Sequence, residues 1–140
     1  MQKTILSKAA PPPVGHYPHA RRVGNLLFLS GVGPRKPGTE EIPGVTLDDA
    51  GEAASYDIAL QTRSVFENVE AILKSAGLGL ADLVDVTVFL TDMRRDFKAF
   101  NALWADRFPD NPPCRTTVEV WALPTPIAIE LKCIAAWPED

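Results

Sequence analysis

IALQTRSVFENVEAILKSAGLGLADLVDVTVFL, residues 58–90, changes period once, and that change sets the fold class. In its first half Ile58, Thr62, Val65, Val69, Ile72 and Ala76 recur at spacings of three and four, which marks one face of an amphipathic helix. Gly77 supplies the stop, since glycine takes the left-handed conformation that ends many helices. In the second half Leu83 to Leu90 is β-branched and alternating, which predicts a strand.

Upstream, residues 1–6 read as a short strand. Ala9 to Pro13 reads as a loop, because three consecutive prolines fix φ and remove donors. Val23-Gly24-Asn25 signals a hairpin turn into Leu26-Leu27-Phe28-Leu29-Ser30. That run is apolar on both faces, so it reads as a central strand covered on both sides. Gly31 to Gly44, with four glycines and three prolines, is loop chemistry. Downstream, Asp92 to Asp96 leads into a second helix with Phe97, Phe100, Trp104 and Phe108 inward. The chain closes on CRTTVEVWALPTPIAIELKCIAA, residues 114–136, which reads as a β-hairpin around a proline-containing turn. Strands, helix, strand, helix, two strands predict an α+β fold: one domain, residues 1–140, with both helices on one face of a mixed sheet.

The chain has 140 residues, 46% hydrophobic and 23% charged, which suits a single globular domain. With 14 basic and 18 acidic residues the net charge is −4, and the basic residues occur as isolated pairs. This is not the concentrated basic surface that nucleic acid requires. No apolar run approaches the length of a membrane span, and the N-terminal residues carry no signal-peptide pattern. Two cysteines, Cys114 and Cys133, are too few for a disulfide framework and read as reduced thiols in the cytoplasm. His16 and His19 lack further ligands at a metal-binding spacing.

Four positions break the polar–apolar pattern. Asn101 shares the stripe of Phe97, Phe100, Trp104 and Phe108, where a buried amide needs partners. Ser30 ends an apolar strand beside Gly31, where backbone can approach a ligand closely. Arg115 opens a strand after two prolines; a guanidinium fixed there can hold a carboxylate with two parallel hydrogen bonds. Glu130 stands between Ile129 and Leu131 in a run otherwise free of acids. Solvated surface explains Arg115 and Glu130 equally well at this level. Whether they share a face depends on a register that one residue of slip would reverse. The residues alone point to an α+β domain that binds a small carboxylate.

Read together, the landmarks resemble the RidA (YjgF) family of enamine and imine hydrolases. They are Gly15-His16-Tyr17, Leu29-Ser30-Gly31, Glu67-Asn68-Val69, Asp96-Phe97, Phe100-Asn101, Pro113-Cys114-Arg115, Val118-Glu119-Val120, Leu123-Pro124 and Ile129-Glu130, spread from Ile5 to Ala136. The resemblance implies a chorismate-mutase-like fold and a homotrimer with active sites between subunits, needing neither cofactor nor metal. By position it implies that Arg115 binds the substrate carboxylate, helped by the backbone around Thr117. Glu130 would activate water, with Gly31 as a second contact, and Tyr17, Ser30 and Asn101 would line the pocket.

His16 stands where the family usually has proline, Thr117 where many members have cysteine, and Pro37 to Tyr56 is longer than usual. That extension, with Arg35-Lys36-Pro37, Tyr56-Asp57-Ile58, Arg115-Thr116-Thr117-Val118 and Leu123-Pro124-Thr125-Pro126, resembles the 2-aminomuconate deaminase branch, which serves bacterial degradation of aromatic compounds. A dicarboxylate substrate asks for a second cation. Arg35 or Lys36 is expected there, with Arg21 and Arg22 as runners-up. A general 2-iminoacid deaminase and a non-catalytic carboxylate-binding protein are the alternatives.

Overall fold

Asp57 starts the first long helix: its carboxylate accepts from the N–H groups of Ala59 and Leu60, donors that an uncapped helix end leaves open. Helix α1 then runs Ile58–Ser75 and buries Thr62, Val65, Val69 and Ile72. Gly77 ends it at φ 78°, and Leu78 N–H reaches back to the Leu73 carbonyl at 2.8 Å. This is a computed structural model, and it describes residues 2–139.

Strands β1 (Gln2–Ile5), β2 (Ala20–Val23) and β3 (Leu26–Leu29) form an antiparallel run. The β2–β3 turn is two residues long, with Gly24 at φ 61°. Strands β4 (Thr46–Leu47) and β5 (Ala53–Ser55) make a small separate sheet inside the stretch that reads as loop and lead-in. After α1 come β6 (Leu83–Leu90), helix α2 (Met93–Arg107), β7 (Cys114–Glu119) and β8 (Ile129–Ala136). The main sheet has the order β1-β2-β3-β8-β6-β7, with β6 and β7 parallel and the other neighbours antiparallel. The middle of one sheet face is apolar: Leu27, Leu29, Val86, Val88, Leu90, Ile129, Leu131 and Cys133 are all buried there under the helices. Phe66 of α1 meets Trp104 and Phe108 of the α2 end, with ring centres 6.3 and 5.9 Å apart. Among the described residues no helix is long and apolar enough to cross a membrane.

Three expectations are corrected. First, β7 and β8 are not a hairpin. Strand β6 lies between them, parallel to β7 and antiparallel to β8. Along β8 every second residue is buried, as a strand with neighbours on both edges requires, whereas β7 is largely exposed and forms the sheet edge. The connection from Val120 to Ala128 passes over the end of β6: Val120 N–H bonds the Leu90 carbonyl, and Thr91 N–H bonds the Ala128 carbonyl. Second, α2 is rotated from its expected face. Its buried line is Asp96, Phe100 and Trp104, continued by Phe108, while Phe97 is 36% exposed and Asn101 is exposed. Third, within the single chain β3 is central but covered on one side only, because Phe28 is 37% exposed on the face away from the helices.

Asp96 is the price of that rotation. Its carboxylate is fully buried and accepts a 2.5 Å hydrogen bond from the Tyr56 hydroxyl, while the Arg95 guanidinium lies 4.1 Å over the Tyr56 ring. Burial pushes the Asp96 carboxyl upward, and burial with the Asp96 contact pushes the Tyr56 phenol up to about 12. The Pro37–Tyr56 extension is thereby fastened to the start of α2.

Candidate active site

Glu130 sits near the start of β8, opposite Phe89 of β6. Paired residues point to the same side, so Glu130 lies on the face that the helices leave open. Strand β3 reaches it through a bulge. Phe28 pairs with Ile134 and Val32 bridges to Leu131, so three residues, 29–31, face only two, 132 and 133. A bulge of this kind re-aims the chain locally. Here it presses Gly31 against the carboxylate: a Cβ on Gly31 would stand 2.8 Å from Glu130 Oε2 and 3.0 Å from its Cδ. Burial pushes the Glu130 carboxyl above the usual carboxylate range.

In front of Glu130 lies a cavity of about 210 Å³ whose wall includes Tyr17, Ser30, Gly31, Arg35 and the Pro11–Val14 segment. Each wall element is tied by hydrogen bonds. Ser30 Oγ donates to the Pro18 carbonyl at 2.7 Å. The Tyr17 hydroxyl accepts from Val14 N–H at 3.3 Å, so its own proton remains available. Arg35 donates to the Pro12 carbonyl. Asn68 of α1 donates to the Gly33 and Arg35 carbonyls, at 2.9 and 2.8 Å, and Ser64 Oγ donates to the Pro34 carbonyl, so α1 holds the loop that carries Arg35. His19 accepts from Ser7 N–H at Nδ1, which leaves Nε2 to donate to the Pro11 carbonyl at 2.7 Å. With both ring nitrogens engaged, His19 is a scaffold for the proline segment. Among the described residues no group of three His, Cys, Asp or Glu side chains could hold a metal.

Arg115 belongs elsewhere. It pairs with Val86, which is buried on the helix side of β6, so Arg115 points opposite to Glu130. Its guanidinium carbon stands 5.1 Å from the Trp104 ring centre, 5.4 Å from Phe100 and 5.8 Å from Phe97. Burial lowers its pKa without removing its charge. The ion pairs among the described residues are Lys36–Glu41, Lys74–Glu70, Arg95–Asp96 and Arg107–Glu70, so Arg115 has no acidic partner. Two residues on, and on the same face, Thr117 has a buried hydroxyl without a hydrogen-bond partner. An unpaired cation on an aromatic bed, beside an idle hydroxyl, is the composition of an anion site.

One chain therefore carries two candidate half-sites on opposite faces of its sheet. Glu130, Gly31, Ser30, Tyr17 and Arg35 share one; Arg115 and Thr117 form the other. Asn101 joins neither within the chain, and Lys36 is exposed and paired with Glu41 at 3.2 Å. The proline segment and the Asn68 tether escaped the sequence reading. The triple proline signals a rigid loop, but nothing in it says what that loop encloses.

Residues 7–137 match the family described as endoribonuclease L-PSP. A RutC family protein of Pyrococcus horikoshii is 41% identical over 135 residues, covering 96% of this chain and 98% of its own. An Escherichia coli protein named 2-iminobutanoate/2-iminopropanoate deaminase is 36% identical over 138 residues, covering 96% and 98%. The crystal structure of E. coli TdcF with bound serine superimposes with a TM-score of 0.82 at 33% identity, covering 97% of this chain and 99% of that one.

Proposed function

The chain belongs to the endoribonuclease L-PSP (RidA) family, and from that premise we propose that it is an enamine/imine deaminase acting on 2-aminomuconate. The observation that carries the reading is the pair of half-sites: a desolvated carboxylate facing a cavity, and a guanidinium without an acid of its own. The names of the E. coli relatives, an imine deaminase and a protein crystallised with the amino acid serine, support a substrate that carries a carboxylate next to nitrogen.

Arg115 holds that carboxylate bidentately, with Thr117 beside it, and fixed placement removes much of the entropic barrier. The imine carbon, reached by tautomerisation of the enamine, faces Glu130. Glu130 takes a proton from water as the oxygen attacks, then returns it to the departing nitrogen. The C=N bond is replaced by C=O, one water is consumed and one ammonia leaves, giving 4-oxalocrotonate. Desolvation raises the proton affinity of Glu130 and so makes it a stronger base toward the attacking water. The substrate supplies its own electrophile, so the proposal involves no cofactor.

Opposite orientations mean that a cleft using both residues takes them from two copies. The sheet face away from the helices offers a surface for this, with Phe28 and Val118 more than a third exposed and Ile134 and Phe89 half-buried. A closed homotrimer, with three equivalent clefts, is the assembly proposed. Arg35, in the Glu130 cavity and with one donor on Pro12, is placed to meet a distal carboxylate with its remaining donors.

Ammonia release from 2-aminomuconate and from 2-iminobutanoate, measured side by side, tests the reading. Faster turnover of 2-aminomuconate, lost in Arg35→Ala, supports it. Preference for the short imine would move the assignment to a general 2-iminoacid deaminase. Tight carboxylate binding without ammonia release would make it a binding protein. Salt-dependent RNA binding or cleavage would contradict the reading drawn from a net charge of −4.

A further inference from the structure

Lys132 takes no part in the reactions described so far, yet its ammonium reaches the bulge beside Glu130. Ser30 N–H bonds the His19 carbonyl on the β2 side, so the preceding Leu29 carbonyl points the other way, toward β8. There the extra residue of the bulge has broken the ladder: the paired register of β3 and β8 stops at Phe28 and resumes only at Val32. A carbonyl stranded at that point would lose a hydrogen bond. The Lys132 ammonium supplies it, donating to Leu29 O, and has no acidic partner among the described residues. Lys132 is two residues from Glu130 on the same strand, and therefore on the same face.

We infer that Lys132 is a positioning residue for Glu130: by tethering Leu29 it holds the Ser30–Gly31 bulge against the carboxylate. The inference rests on Glu130 as the general base, and it extends that reading to a residue whose ammonium is engaged by the Leu29 carbonyl. The tether fixes a backbone bend, so its loss should move Gly31 and loosen the carboxylate while leaving the Arg115 half-site untouched.

The test is Lys132→Met with Lys132→Arg as the conservative partner, read in two ways. Crystal structures of the assembled variants should show Gly31 drawn away from the Glu130 carboxylate in Lys132→Met and restored in Lys132→Arg. Kinetics should show kcat reduced about tenfold in Lys132→Met with KM changed less than about twofold, and recovery in Lys132→Arg. If Lys132→Met does not fold, Lys132→Gln, too short to reach the carbonyl but still polar, carries the same expectations. An unchanged bulge, a wild-type kcat, a rise in KM alone, or loss of activity through dissociation of the assembly with the bulge intact would each overturn the inference. The crystallographic comparison needs no substrate. A wild-type enzyme without deaminase activity would therefore refute the proposed function and still leave this inference to be judged.

Discussion

Gly31→Ala places one methyl group against the proposed base, whose carboxyl atoms are its three nearest neighbours. The new Cβ would stand 2.8 Å from Glu130 Oε2, whereas ordinary contact begins near 3.4 Å, so the carboxylate must retreat by about 0.6 Å. Gly31 is not among the glycines with positive φ, so alanine meets no backbone strain. The obstacle is the end of a side chain, which can rotate, and the folding cost should fall at the low end of the overpacking range, about 1 kcal/mol. Catalysis is less forgiving: misplacing a reacting group by about 1 Å can cost on the order of 100-fold, so a 0.6 Å shift is expected to lower kcat about 10- to 50-fold. Arg115 lies on the other face and keeps its grip, so KM should change little. Ammonia release coupled to a reductive amination assay gives both constants, and thermal unfolding gives the stability change. A Gly31→Ala enzyme with wild-type kcat would refute the role assigned to Glu130.

Arg115→Ala should lower kcat/KM by about 10- to 150-fold, the worth of a charge-assisted hydrogen-bonding group at about 1.5–3 kcal/mol, with the thermal midpoint nearly unchanged. Glu130→Gln should abolish turnover yet stabilise the fold at neutral pH. Because burial raises the folded-state pKa, the native chain binds the proton more tightly than the unfolded chain, and the ionised carboxylate costs stability as pH rises through that value. Unfolding of wild type and Glu130→Gln should therefore differ at pH 7 and converge below the ordinary carboxylate range; a gap that widens toward acid would contradict the shift. Tyr56→Phe leaves the fully buried Asp96 without its donor and should cost about 1–3 kcal/mol in denaturant unfolding.

Elements with local signals were legible in the sequence. The inward line of α1 and the eight residues of β6 come directly from period, because each is set by burial of one face. Who neighbours whom is not local. Alternation in β7 and β8 says which residues share a face within each strand, but not that β6 inserts between them, and the hairpin reading failed there. Helix α2 misled for a related reason: Phe97, Phe100, Trp104 and Phe108 suggest one stripe, while the packed line starts a residue earlier at Asp96, a charge that no hydrophobic count would bury. Ser30, Gly31 and Glu130 stood out in the chain, Tyr17 and Arg35 came with the family resemblance, and all five line one cavity. Their separation from Arg115 could not be read, since it depends on the parity of two registers against β6.

That parity has a genetic meaning. If each cleft draws its guanidinium from one copy and its carboxylate from another, two defective enzymes can mend each other. Arg115→Ala chains, impaired alone, and Glu130→Gln chains, inactive alone, would gain activity when co-assembled, because some clefts receive both intact residues. For random equal mixing in a closed ring, about one cleft in four qualifies. A strand slipped between two others thus determines whether a defective copy of this gene can be rescued by a differently defective one.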